Sequence, residues 1–352
     1  MIELSPYLKK LISLPGLSGF EAPVHDLIRE TWFPIVDELV TSPLGSLHGL
    51  KRGTGSEPRP RLLLAAHMDA IGLMVTTIAN GFLRITEVGG VDPRILPGQP
   101  VIVHGKKDLP GVIIQPPSTL LPPGHGEKPV EMRYLFVDTG LTEKEVGEFV
   151  HPGDQVSFAQ VPVDLSGDCM AGHTMDDRVA VAALTLCLQD LQHVQHAWDV
   201  WGVATVQEEE TFGGAWTSAF SIQPQIAVAI DVTFAKGPGL SNHRGYPLGK
   251  GLTLDMGPNI HPALFKRFKE VAEKLDIPFH VEPNPTHTGT DTFAMQVTAE
   301  GIPSMVIGIP LRYMHTPVET VCLKDISRTG HLLTEFIATL EPDFISKITW
   351  DD

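Results

Sequence analysis

The chain has 352 residues, 42% of them hydrophobic and 19% charged, with a formal net charge of −16. That length suits one large globular domain plus a smaller one, and the acidic balance argues against nucleic acid and membrane surfaces as partners, since both require a basic face. Three cysteines without paired spacing exclude a disulfide framework, and with no secretory signal or long apolar run in view the expected compartment is the cytoplasm.

The first elements are helical. Leu8, Leu11 and Ile12 recur at helical spacing, and Ser18 with Glu21 three residues on has the pattern of a capping box, so the chain is expected to open with two helices. The run RLLLAA at 61–66 then reads as a strand buried on both faces. Residues 73–165 change character, with short β-rich runs punctuated by glycine and proline. The Asn80–Gly81 pair predicts a hairpin there, and the Pro-rich stretch 115–129 an exposed loop. Beyond it, helical patterns at 176–192 and 262–275 separate apolar runs at 200–207, 225–230 and 304–309. Strands alternating with helices predict an α/β fold, a mixed and mostly parallel sheet covered by helices on both faces. A small β-barrel-like domain at 73–165 is inserted into it, which leaves 1–72 and 166–352 as a discontinuous catalytic domain.

Chemistry-bearing residues follow each buried run. His67 and Asp69 come after the first, Glu208 and Glu209 after the second, Asp231 after the third, and His315 just past the fourth; Asp176 and Asp177 open the first long helix. In open α/β sheets, ligands bind outside the carboxyl ends of the strands. Histidine and carboxylates without cysteine suit catalytic Zn, Co or Mn rather than a closed structural site. Two divalent ions a few Å apart need several such donors, with one carboxylate bridging. Asp69, two residues after His67, can fix the ring's tautomer. On an extended chain Glu208 and Glu209 point different ways, so one can bind metal while the other acts as base. Glu210 and Asp177 read as supporting charges, and His173, His243 and His287 as structural or substrate-side groups.

Taken together, AAHMDAIGLMV, TMDDRVAVAAL, TVQEEETFGGA, AIDVT, LGKG, GTDT and RYMHTPVE resemble the M42 family of metallo-aminopeptidases, over residues 65–319 and in family order. The resemblance implies two metal ions per chain. His67 and Asp231 would hold one, Glu209 and His315 the other, and Asp176 would bridge them, with Glu208 as general base and Asp69 orienting His67. It implies peptide substrates cleaved at the N-terminus, and homo-oligomers built from dimers up to a dodecamer through the inserted domain. The chain departs from the family at Ala70, where Glu is usual, and over 210–214, where the usual Arg is missing. Two alternatives stand beside this reading. One is an N-acyl deacylase on the same dinuclear site, which blocked substrates would reveal. The other is a metal-binding shell with little catalysis, which would show full metal occupancy without turnover.

Overall fold

A computed structural model describes residues 2–122, 128–240 and 244–350. His243 and part of the Pro-rich 115–129 stretch lie outside the described residues.

The opening helices are Leu4–Ile12 and Ala22–Trp32. The expected capping box does not form. Glu21 is itself the N-cap residue, and its side chain turns back to accept N–H from Gly19 and from Gln207. The second of these contacts lies 186 residues away in sequence, so a long-range partner displaces the local one.

Among the described residues one large sheet has 11 strands. Its centre is parallel: strands Asp199–Thr205, Arg61–His67, Ile226–Phe234 and Ser304–Arg312 lie side by side. Antiparallel strands flank them, Leu47–Lys51 on one side and Glu319–Cys322 with Cys169–Gly172 on the other. The central strands are the near-continuous apolar runs, and Leu62, Leu63, Leu64, Ile226, Val228, Met305 and Ile307 are buried to 0% exposure. Each such side chain contributes about 1.5–3 kcal/mol relative to exposure, which is why these strands sit between layers rather than at an edge. Helices Met175–Asp190 and Leu323–Ala338 pack against each other and against the sheet, and helices Gly213–Ile222 and Asp291–Gln296 pack as a second pair on the central strands. Phe268 and Phe336 stack at 3.8 Å between ring centroids within the core.

Between the Arg61–His67 strand and the Met175–Asp190 helix the chain forms a closed barrel of six antiparallel strands, from Gly72–Ala79 round to Gln155–Phe158. It encloses its own core of Leu73, Val75, Leu83, Val103, Ile113, Val137 and Val156. The predicted hairpin is present: Ala79 pairs with Phe82 across Asn80 and Gly81, both at positive φ, as a two-residue type I′ turn requires. The short strand Val163–Leu165 pairs with Cys169–Gly172 and belongs to the large sheet. No helix among the described residues is long and apolar enough to cross a membrane.

Candidate metal centre

Parallel register brings the site together. Thr205 pairs with His67, Asp231 pairs with Gly308, and Asp231 lies two residues beyond the Ala229–Ala65 pair. His67 and Asp231 therefore lie level on adjacent strands, at the carboxyl ends that open onto a cleft. The other members arrive on turns. Thr174, Gln207 and His315 are non-glycine residues in the left-handed region, with φ of 59°, 59° and 63°. Such conformations persist only where the surroundings enforce them, and they gather here around the ligand-type residues.

Asp176 stands between the two histidines. Its Oδ1 is 3.2 Å from His67 Nε2 and its Oδ2 is 3.3 Å from His315 Nε2. Glu209 Oε2 is 3.3 Å from His315 Nε2, and Glu208 Oε2 is 3.7 Å from His67 Nε2. The two glutamates do diverge, but on a short helix, Glu208–Thr211, rather than an extended chain. Successive side chains on a helix are rotated by roughly 100°, and that separates them.

Asp69 meets the His67 ring and both glutamates. The His67 ring Nδ1 is 3.2 Å from the Asp69 carbonyl oxygen and 3.4 Å from its Oδ1. Both are acceptors, so a proton on Nδ1 is held there, and Nε2 is the nitrogen turned toward the carboxylates and left for a cation to claim. The Asp69 carboxylate meanwhile accepts the Glu208 and Glu209 N–H groups at 3.0 and 3.2 Å. One residue thus sets the tautomer of His67 and the placement of both glutamates.

The sequence also left supporting residues unassigned. Glu319 is 2% exposed, and its carboxylate accepts the N–H groups of Met175, Asp176 and His315 at 2.7, 3.2 and 2.8 Å. Asp291 is buried and accepts the Thr205 hydroxyl at 2.6 Å. Asp177, read as a supporting charge, is 0% exposed, accepts the His67 N–H at 3.3 Å and groups with His67 and Asp231. Glu210 accepts the Gly89 N–H at 2.6 Å and so ties the glutamate turn to the end of a barrel strand. Gly90 packs on the His315 ring, where a Cβ would come within 2.8 Å of Nδ1. His173 is buried and pushed down to about 3 by burial and by Arg178. His287 packs on Phe293.

The donor set fits divalent cations. Ligand atoms of His67, Asp176 and Glu209 lie within 4.8 Å of one another, as do those of His67, Asp177 and Asp231. Glu209 Oε1 and Asp177 Oδ1 are buried without a hydrogen-bond partner among the described residues. Burial, with added repulsion between carboxylates, pushes Glu208, Glu209, Asp231 and Asp177 above the usual range. Burial lowers the affinity of both imidazoles for protons, yet the adjacent carboxylates outweigh it and raise His67, and His315 to about 11. Burial likewise works to raise Asp176, and the imidazoles outweigh it and hold it low. So many buried acids around two imidazoles call for positive charge. Beside them opens a cavity of about 590 Å³.

Comparison with known proteins gives a consistent result. The sequence profile of the M42 glutamyl aminopeptidase family matches residues 45–332. The lysyl aminopeptidase of Pyrococcus furiosus is 36% identical over 341 residues, covering 95% of this chain and 97% of that protein. The crystal structure of a TET aminopeptidase from a marine sediment Thaumarchaeota archaeon superposes with a TM-score of 0.93 at 32% identity, covering 98% of this chain and 99% of the other. The TET1 peptidase of Pyrococcus horikoshii, which assembles into a tetrahedron or a large octahedral shell, gives 0.83 at 28% identity, covering 96% and 100%.

Proposed function

This chain belongs to the M42 glutamyl aminopeptidase family and is an aminopeptidase, and from that premise we propose a dinuclear metal mechanism with Glu208 as its general base. The observation that carries the proposal is Asp176, which offers one oxygen to the neighbourhood of each histidine. His67 and Asp231 would hold one ion and Glu209 and His315 the other, with Asp176, placed between the two histidines, as the ligand that both would share. Zn or Co suits this donor set best, and Mn also fits it. When bound, the ions supply Lewis acidity toward the scissile carbonyl and toward water.

The rest is the work of side chains. Glu208 is 7% exposed, and its carboxyl is raised first by burial. Its Oε2 stands 3.7 Å from His67 Nε2, at the edge of the ligand cluster, where a carboxylate is placed to take a proton from water and return it to the leaving amine nitrogen. Asp69 holds the Glu208 N–H and so fixes where that base stands. The expected domain boundaries at 72–73 and 165–166 shift by a few residues in this reading: Gly72 already opens the first barrel strand, the barrel's last strand ends at Phe158, and Val163–Leu165 pairs in the large sheet. The barrel's Gly89–Gly90 corner reaches the site. The peptide N-terminus enters the cavity beside the ligands. The barrel builds homo-oligomers, dimers first and then a dodecamer. All three cysteines are free, which suits the cytoplasm.

The test is a panel of aminoacyl-p-nitroanilides and their N-acetyl counterparts with added Co²⁺ or Zn²⁺, run on the protein and on Glu208→Gln. Metal-dependent release from free-amine substrates alone is expected, with kcat falling at least about 100-fold in the variant while metal content holds. Release confined to N-acetyl substrates would instead establish a deacylase.

A further inference from the structure

The cavity has a second acidic wall that the proposed chemistry does not use. Asp255, on strand Leu252–Met256, and Glu282, on strand Phe279–Pro283, are register partners on adjacent parallel strands, and both line the cavity. Asp255 is 4% exposed; its Oδ2 accepts the Asn284 side-chain amide at 2.6 Å. Glu282 Oε1 accepts the Thr233 hydroxyl at 2.9 Å. The second oxygen of each carboxylate, Asp255 Oδ1 and Glu282 Oε2, is buried with no hydrogen-bond partner among the described residues. Thr253 stands near both, but its hydroxyl does not meet hydrogen-bond geometry with either. Among the described residues no Lys or Arg pairs with either acid. Arg244 also lines the cavity but is exposed.

Two orphaned carboxylate oxygens in one wall are costly unless a cation meets them. Burial raises both carboxyls, and Glu282 raises Asp255 further. Distance also matters. Thr233 is two residues beyond Asp231 on the same strand, hence on the same face. Two residues of strand advance about 7 Å, comparable to the four-carbon stem of lysine. Phe212, Val306 and Met314 give the cavity an apolar wall for such a stem.

We propose that Asp255 and Glu282 form the pocket for the side chain of the substrate's first residue and select lysine, whose ammonium is received by Asp255 Oδ1 and Glu282 Oε2. The inference rests on the aminopeptidase reading, because an exopeptidase places that first side chain beside the metal centre. An ammonium has three donors and can serve two separate acceptors at once. A neutral side chain leaves both oxygens orphaned, and an acidic one adds a third negative charge.

The experiment compares lysyl-, norleucyl- and glutamyl-p-nitroanilide on the metal-loaded full chain. Norleucine keeps the stem and removes the charge. Lysyl kcat/KM should exceed norleucyl by at least about tenfold, with glutamyl lowest. In Asp255→Asn and Glu282→Gln the lysyl-to-norleucyl ratio should collapse, a change that general loss of folding does not produce. Norleucyl equal to or better than lysyl in the unaltered protein overturns the pocket while leaving the aminopeptidase reading intact. Should no substrate turn over, calorimetry with L-lysinamide against L-norleucinamide decides. Tighter binding of lysinamide upholds the pocket, and equal or absent binding overturns it.

Discussion

Glu319 receives three backbone N–H groups from the two segments that carry Asp176 and His315. Its effect is to fix both sides of the candidate metal centre from behind. Glu319→Gln weakens that acceptor and should lower metal affinity about 10–100-fold, read by competition with a chromogenic chelator while circular dichroism stays unchanged. His67, Glu208, Glu209, Asp231 and His315 were legible as candidates because each follows a buried apolar run, and strand ends are where α/β folds present chemistry; Asp176 stood out instead at the start of the first long helix. Glu319 and Asp291 were not assigned, because a carboxylate whose partners lie far along the chain, the Met175 and Asp176 amides for Glu319 and the Thr205 hydroxyl for Asp291, leaves no local pattern. The same holds for the second role of Asp69, since its Glu208 and Glu209 partners are 139 and 140 residues away. His48 offers a separate test at this scale. It is buried, its Nε2 lies 2.9 Å from Ser218 Oγ, and burial lowers it to about 4. Its folded pKa lies below the unfolded value near 6.5, so between those values the unfolded chain takes up the proton first. Stability should therefore fall as pH drops through that window, by on the order of 3 kcal/mol from this group. Urea unfolding at pH 7 and pH 4.5 should show a smaller difference in His48→Gln than in the unaltered protein.

At the scale of elements, the four buried strands and two long helices fall where apolar continuity and helical spacing put them. The Asn80–Gly81 hairpin was legible because a type I′ turn demands positive φ at both residues. Gly81 has φ of 88°, and a Cβ there would sit 2.8 Å from the Leu141 carbonyl oxygen. Gly81→Ala should destabilise the barrel by more than about 1 kcal/mol, measured by denaturant unfolding. What pattern could not show was how elements are tied together. Arg178, fully buried, donates to the carbonyls of Leu11, Leu14, Gly16 and Met68. It thereby joins the end of the first helix to the strand end carrying His67. The guanidinium's planar fork makes that possible, yet in the sequence it is one more helical residue. Glu208–Glu209 was read as extended because the apolar run continues to Val206, whereas the left-handed Gln207 ends the strand and starts a helical turn.

For the whole molecule, the α/β body and the inserted closed barrel were both legible, from the alternation of elements and from the change in character between the first buried strand and the first long helix. The contact between them was not: it includes Glu210 meeting Gly89 and Gly90 packing on His315, residues whose local sequence suggests only a charged turn and a loop. Binding of cations at a cluster of buried acids links metal occupancy to global stability. At metal concentrations about 100 times Kd the gain is about 2.7 kcal/mol per site, so chelation should lower the unfolding temperature by roughly 4 °C for each site emptied, as scanning calorimetry would show. The central claim is that a two-metal centre built on Asp176 performs N-terminal hydrolysis. It is tested most directly by adding Co²⁺ or Zn²⁺ stepwise to metal-free protein while following bound metal and aminoacyl-p-nitroanilide release together. The account predicts that release rises with occupancy and reaches its plateau near two ions per chain. Full release from metal-free protein, or two bound ions with no release from any free-amine substrate, would contradict it.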